Sequence, residues 1–416
     1  MKVFKFGGAS VRNAEGIINL FNIVSEENGR LVVVVSAFGK TTNALEQLHL
    51  AWRKRDPVSQ SLLGEISDYH LRIAEQLFAA GSPEIQEVRS LFREFGVFLQ
   101  QQKPKGFDHD YDMIVSNGEI WSTFIVEAYL RSQGLHSAWA DARKLIITDD
   151  RHCDAGVLLD ESHHAAVKCI DFSKADLFVT QGFIGATVNG EVTTLGREGS
   201  DYTAALIANL LDAAEVVVWK DVPGIMNADP DWIPSAVTLP HISYLEAVEM
   251  TYSGAKVIHP KTIKPLHNKK IPMLVKPFAD RLAAGTLISD DAPQGGMCPV
   301  FVKKDGQMLL SLIPKDLSFV MGDNLAGLFH LLAKTGLKVN LVQTGAVSIN
   351  ICVDHEEPKI SGLLEELRKD YTILYNDGAE MLTVRHCTPE AVAQVTGSRE
   401  VLLSQSTRNT VRLVVR

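Results

Sequence analysis

An α/β fold with a largely parallel sheet, followed by a smaller α+β unit, is predicted by three features of the sequence. Short apolar runs alternate with helix-spaced stretches over the first three hundred residues, as strands joined by helical crossovers do. At about residue 290 this texture breaks in "DDAPQGGMCP", a linker by composition. Beyond it the chain repeats itself: "VNLVQTGAVSINICV" from Val339 aligns with "VLLSQSTRNTVRLVV" from Val401, a constant offset of 62.

"KVFKF" and "RLVVVVS" read as buried strands, with a helix from Ala14 to Glu27 between them. Residues 57–102 read as a helical insertion closed by "KPKG". "DLFVTQGFIG" and "EVVVWKDVPG" are two further strands, each running into a loop that contains glycine. Parallel sheets bind ligands in loops beyond the carboxyl ends of their strands. That rule gathers "GGAS", "SAFGKTTN", "QGFIG" and "KDVPG" on one rim. "VTTLGREGSDYTAALIANLL" reads as a loop feeding a helix from Tyr202 to Leu211, with Ser200 or Asp201 as the cap. Arg197 in that loop is a fork-shaped donor suited to a carboxylate or a phosphate.

In the repeat, Leu341 meets Leu403, Gln343 meets Gln405 and Val353 meets Val415. Each copy follows a helix. Leu325, Leu328, Phe329 and Leu332 share a face of the first, which Gly336 stops. The second, shorter helix has Thr388 as cap and Pro389 in its first turn. Two βαββ units in tandem, neither with a catalytic cluster, suggest a binding module.

At 416 residues two or three domains are expected, and 46% hydrophobic with 22% charged residues suits a globular protein with ample core. With 41 Lys and Arg against 50 Asp and Glu, the net charge of −9 argues against nucleic acid as the main partner. The five scattered cysteines, Cys153, Cys169, Cys298, Cys352 and Cys387, form no metal-ligand spacing and fit reduced thiols. No apolar leader or membrane-length stretch is present, so a cytoplasmic protein is expected.

Two nucleotide signatures fail. "FGKTT" lacks the glycine a Walker loop needs, since Val34 stands there, and no G-x-G-x-x-G occurs. In "KFGGAS", Gly7 and Gly8 follow a strand end and leave amides free to face an anion. Lys5 could neutralise charge on a transferring phosphoryl group.

"KFGGAS", "SAFGKTTNAL", "SNGEIWS", "TLGREGSDYTAA", "WKDVPGIMNADP" and "AKVIHPKTI" occur in the order found in aspartate kinases of the amino acid kinase family. The tail resembles their paired ACT domains. The resemblance implies a three-layer α/β/α sandwich over residues 1–290 and tandem ACT-like regulatory domains over 300–416, the second shortened. It implies transfer of the γ-phosphoryl of MgATP to the β-carboxylate of L-aspartate, with ATP and Mg2+ as cofactors and 4-phospho-aspartate as product.

Carried over residue by residue, Arg197 matches the arginine that grips the substrate α-carboxylate and Glu119 the acid that pairs with its α-ammonium. Thr42 and Ser200 match pocket positions. Asp201 matches the aspartate that organises the reacting centre, and Lys5 the lysine on the phosphoryl. Gly7, Gly8, Ser10, Lys220, Asp221 and Lys256 match the nucleotide side, and no residue is assigned to bind a metal directly. Ala9, Glu198, Met226 and Asp231 depart from the family's usual threonine, glycine, tyrosine and arginine. His259 reads as a hydrogen-bonded rather than catalytic histidine.

A homoserine dehydrogenase domain is not expected, for want of length and of a dinucleotide motif. A homodimer through residues 300–416 and an amino-acid effector there are expected, with no nucleic-acid or membrane partner. In lysine-inhibited relatives the first ACT unit carries Asp and a Ser-Glu pair where this chain has Asn340, Gly345 and Ala346. Gln343 and Gln405 would instead suit threonine. Two alternatives stand beside this reading: another amino acid kinase, and a catalytically impaired amino-acid sensor.

Overall fold

Five consecutive residues at Leu31–Val35, all apolar and all buried, set the middle of the first sheet. A strand hidden on both faces requires a layer of helices on each side. The computed structural model describes residues 1–255, 258–292, 298–320 and 322–416. The chain divides into two compact units, one of residues 1–225, 238–248 and 257–293, the other of 226–237, 249–256 and 294–416.

The first unit begins with β1 (Lys2–Phe6), α1 (Ala14–Ser25), β2 (Leu31–Val35) and α2 (Thr41–Arg53). The helical insertion follows as α3 (Val58–Leu77) and α4 (Pro83–Gln101), with α5 (Phe107–Val115) and α6 (Asn117–Ser132) after it. Next come β3 (Ser137–Ala140), β4 (Ile147–Thr148), α7 (Leu159–Cys169), β5 (Leu177–Gln181), β6 (Ile184–Thr187) and β7 (Val192–Thr194). The series continues with α8 (Gly199–Leu210), β8 (Glu215–Lys220), β9 (His241–Ile242), α9 (Tyr244–Ser253, its residues from Glu249 on counted with the second unit), α10 (Pro260–Lys269), β10 (Met273–Pro277) and β11 (Thr286–Ile288).

The main sheet runs β3-β5-β2-β1-β8-β10-β11-β9. It is parallel from β3 through β10, and only the β10–β11 pair is antiparallel. Alternation along each strand sorts its side chains between two layers. Phe4, Phe6, Val33, Val35, Val179, Val217 and Trp219 join one core with α1, α3, α4 and α6. Lys5 lies between Phe4 and Phe6, so it faces the other layer, where α8 packs on β1. The result is the three-layer α/β/α sandwich.

The second unit holds β12 (Val300–Pro314), α11 (Gly322–Thr335), β13 (Val339–Thr344), β14 (Ile349–Asp354), α12 (Lys359–Leu367), β15 (Tyr371–Arg385), α13 (Pro389–Thr396), β16 (Val401–Ser406) and β17 (Thr410–Val415). Its antiparallel sheet has the order β13-β14-β12-β15-β17-β16. β13 and β16 begin and end at the same offset of 62 that the sequence repeat shows.

The repeats are interleaved. Val300–Lys304 of β12 pairs with Met381–Arg385 of β15 in the second half, while Leu309–Pro314 pairs with Tyr371–Asn376 in the first. Between the halves the register shifts on either side of Gln307. Gly306 and Gly378 there take positive φ values of 64° and 67°, which glycine adopts at little cost. Thr388 caps α13 through its hydroxyl, which accepts from the Ala391 amide, and Gly336 follows the end of α11 with φ 65°, both as expected.

Phe329 departs from expectation. Leu328 and Leu332 are buried on the core face of α11, whereas Phe329 is 46% exposed. The apolar stripe is therefore narrower than the helical spacing suggested. Among the described residues no helix is long and apolar enough to cross a membrane.

Candidate active site

β1, β2, β5 and β8 end on the same edge of the sheet, at Phe6, Val35, Gln181 and Lys220. The loops beyond them, with the first turns of α2, α6 and α8, line one cavity of about 640 Å3. Lys5, Gly7, Gly8, Ser10, Thr42, Glu119, Arg197, Ser200, Asp201, Lys220 and Asp221 all line it. Residues spread over more than two hundred positions are thus brought together. Lys256, also expected at the site, lies outside the described residues.

The two glycine loops are stitched by backbone. Gly39 donates its amide to the Gly8 carbonyl at 3.0 Å, and Ser36 donates to Phe6 at 3.1 Å. A Cβ on Gly8 would sit 2.5 Å from the Ala37 carbonyl oxygen, so any side chain would part the loops. This cradle of backbone amides and small residues leaves room for phosphate oxygens.

Beside it lies a line of charge, since a Cβ on Gly7 would be 3.6 Å from Lys5 Nζ. Lys5 Nζ is 2.6 Å from Asp201 Oδ1, and Lys220 Nζ is 3.3 Å from Asp201 Oδ2. Asp201 and Lys5 are both buried. Burial alone would push the Asp201 carboxyl up. The two ammonium groups overcome that and hold it below the usual carboxylate range. One carboxylate between two cations leaves the cluster net positive, which suits a phosphoryl group.

Glu119, in the first turn of α6, is 3% exposed. Its Oε1 accepts from the Ala37 amide at 3.3 Å, while Oε2 is buried with no hydrogen-bond partner among the described residues. Burial pushes this carboxyl up to about 8, against the opposing influence of the Ala37 amide and the Lys5 charge. A buried, half-satisfied carboxyl calls for a donor. Arg197, by contrast, is exposed on the rim and makes no ion pair among the described residues.

The cap expected for α8 is not the one observed. The helix starts at Gly199, so Ser200 and Asp201 lie within its first turn and neither caps it. Glu198 takes the cap position in the left-handed region, φ 53°, with no side-chain cap bond. That backbone favours glycine, the family's usual residue there. Glu198 also lines the cavity, and its Oε2 accepts from the His259 amide at 2.9 Å. His259 in turn caps α10, its Nδ1 accepting from the Lys261 amide at 3.2 Å.

Phe183 and Cys153, which also line the cavity, have φ values of 69° and 65°. Strained backbone of this kind gathers where structure positions a site. Sequence reasoning missed these two, together with Tyr111 and Trp219. It also missed Asp112 on α5, fully buried behind the cavity wall. Asp112 accepts from Thr194 Oγ1 at 2.6 Å, from the Cys153 amide at 3.1 Å, and contacts His152 Nδ1 at 2.8 Å. It thereby ties the Cys153 loop to the strand that leads into Gly196 and Arg197. No local motif announces such a residue.

Residues 1–277 match the family model described as the amino acid kinase family, and the chain belongs to that family. Aspartokinases are among its relatives. The chain is 33% identical over 355 residues to the lysine-sensitive aspartokinase 3 of Escherichia coli K12, covering 85% of this chain and 78% of that protein. It is 29% identical to a bifunctional aspartokinase/homoserine dehydrogenase of Buchnera aphidicola, over 91% of this chain but 47% of that longer protein. Crystal structures of E. coli aspartokinase III, in complex with lysine and aspartate (T-state) and with aspartate and ADP (R-state), give TM-scores of 0.81 and 0.83. Each is 28% identical and is matched over 100% of this chain and 96% of the other.

Proposed function

We propose that this chain is an aspartate kinase, moving the γ-phosphoryl of ATP onto the β-carboxylate of L-aspartate. The observation that carries this reading is one cavity holding both a Lys5–Asp201–Lys220 charge line and the half-satisfied carboxyl of Glu119. Glu119 takes the substrate α-ammonium and Arg197 its α-carboxylate. With both α-substituents held, the side-chain carboxylate is the only nucleophile free to react, and positioning sets the selectivity.

A carboxylate oxygen attacks the γ-phosphorus, forming the acyl phosphate O–P bond as the bond from γ-phosphorus to the bridging oxygen breaks. The electron pair leaves with ADP. No base is needed, because the nucleophile is already ionised near neutral pH. Lys5 and Lys220 neutralise charge on the transferring group, and Asp201 fixes where those ammoniums stand. Gly7, Gly8 and Ser10 bound the nucleotide phosphates, with Asp221 at the rim; Thr42 and Ser200 bound the amino acid. The same role on the phosphate side is proposed for Lys256.

Mg2+ fits as a companion of the nucleotide. Among the described residues no group of three His, Cys, Asp or Glu could hold a metal alone. Mg2+ at such sites is commonly carried by substrate phosphates with one or two carboxylates. Bound with the nucleotide, it would supply positive charge that neutralises the phosphate oxygens.

Residues 1–290 supply the catalysis in this reading, and residues 300–416 form a regulatory, dimerising ACT-like pair. Asn340 is buried, donating to Gln307 Oε1 at 2.7 Å and to Asp354 Oδ1 at 2.6 Å, while Lys304 Nζ donates to its Oδ1 at 3.0 Å. The chain's own lysine occupies that amide. Weak sensitivity to lysine follows, with threonine the better effector, and strong inhibition by sub-millimolar lysine in an initial-rate titration would sink that part.

The activity itself is tested by ADP formation with and without aspartate, with hydroxylamine present to trap the acyl phosphate. Aspartate-dependent turnover that yields the hydroxamate is expected. Binding of aspartate with no ATP turnover would favour the sensor alternative, and turnover with another amino acid only would overturn the substrate.

A further inference from the structure

A second cavity, of about 570 Å3, lies within the first unit on the far side of the Ser36–Thr41 loop from the phosphoryl-transfer cleft. Its volume is within the range, roughly 300–1,000 Å3, of small-molecule sites. Ala44 of α2, Leu62 and Ile66 of α3 and the ring of Tyr69 form apolar walls. Arg12 and Lys40 also line it, both exposed and neither in an ion pair among the described residues; Glu65 is the one acid in the lining. Two cations against one carboxylate favour an anion, and the walls favour an apolar body.

This cavity is coupled to the cleft by contacts rather than by proximity alone. Gly39 lines both spaces. The Tyr69 hydroxyl donates to the Arg12 carbonyl at 2.5 Å, just beyond the "KFGGAS" turn. The same hydroxyl stands so close to Gly39 that a Cβ there would be 2.8 Å from it. Gly39 in turn donates to Gly8. A ligand that displaces the Tyr69 ring therefore acts on both glycine loops at once.

We propose that this cavity is a regulatory site for a small molecule with an apolar body and a single anionic head group. The head pairs with Arg12 and Lys40, the body lies against Leu62, Ile66 and Tyr69, and occupancy resets the Gly39 loop and so the turnover. Only the turnover arm of the test rests on the aspartate kinase reading; the binding arm stands apart from it.

The probe is 8-anilinonaphthalene-1-sulfonate, followed by fluorescence with the full chain. Saturable one-to-one binding is expected, and it persists with ATP and aspartate both saturating. Arg12→Gln with Lys40→Gln should weaken it about tenfold or more, as loss of charge-assisted partners does. Ala44→Trp, which fills the cavity, should abolish it. N-phenyl-1-naphthylamine, which lacks the sulfonate, should bind at least about tenfold more weakly.

Displacement of the probe by ATP or aspartate would place it in the catalytic cleft and overturn the proposal. So would unchanged binding in the doubly substituted surface variant, which leaves the core untouched. Saturating probe should alter kcat in the parent chain and not in the Arg12, Lys40 double variant. Binding without any change in kcat would overturn the regulatory role.

Discussion

Aspartate binding should release a proton, and the size of that release follows from Glu119. With its carboxyl pushed up to about 8 by burial, the empty site at pH 7 holds Glu119 protonated in roughly nine molecules of ten. Only the ionised form pairs fully with the substrate ammonium. Binding at pH 7 therefore expels roughly 0.9 of a proton, and the dissociation constant for aspartate lies about tenfold above its high-pH limit. At pH 6 the penalty is roughly a hundredfold. The sign is fixed: affinity rises with pH up to the carboxyl's own pKa and levels off above it. Titrating aspartate from pH 6 to pH 8.5 measures the slope. Calorimetry in two buffers of different ionisation enthalpy measures the proton directly. Glu119→Gln should bind more weakly at high pH and show no slope. A flat affinity in the parent chain, or a Gln variant that keeps the slope, would refute the reasoning.

Lys5→Ala should fold, because Lys220 still pairs with Asp201, yet lose about 3 kcal/mol of transition-state stabilisation, roughly a hundredfold in kcat; near-parental turnover would relegate Lys5 to structure. Arg197→Ala, exposed and without an ion pair among the described residues, should shift stability by less than about 0.5 kcal/mol. Its aspartate KM should rise about tenfold or more with the ATP KM unchanged, and the reverse split in steady-state kinetics would exchange the two sides of the cleft. Asp112→Asn should cost about 1–3 kcal/mol in chemical denaturation, through a buried network left mismatched. Because Asp112 acts only through the loops around Arg197, its aspartate KM should rise further than its kcat falls; an unchanged KM would make it purely structural.

What the sequence disclosed depended on how local the cause was. β2 was readable because five consecutive buried residues need no partner to announce them. β13 and β16 were readable because the repeat carries its own boundaries. The start of α8 was misjudged because Glu198 adopts a left-handed backbone that nothing in its own chemistry favours. Phe329 was misjudged because spacing marks a helix face but not how wide a stripe the sheet covers. At the candidate site, charged residues inside motifs were legible one by one. Tyr111, Cys153, Phe183, Trp219 and Asp112 were not, since their place depends on which loops meet, and the rule that loops share a rim does not say which side chains turn inward.

The interleaving of β12 and β15 bears on how the second unit comes to exist in time. Val300–Lys304 leaves the ribosome ahead of the whole first repeat, yet its pairing partners, Met381–Arg385, follow that repeat. The segment must wait as an unpaired strand while α11, β13, β14 and α12 are made, and such waiting edges invite wrong partners. Long-range pairings of this kind also slow folding, because loop closure precedes the contacts that reward it. The two halves cannot then behave as beads on a string. Losing the end of the chain would strip Glu380–Arg385 of a neighbouring strand, and loosening one half would open the sheet of the other. A perturbation felt at β13 or β16 is therefore carried by continuous backbone through β12 and β15, with no joint between the repeats at which it could be absorbed.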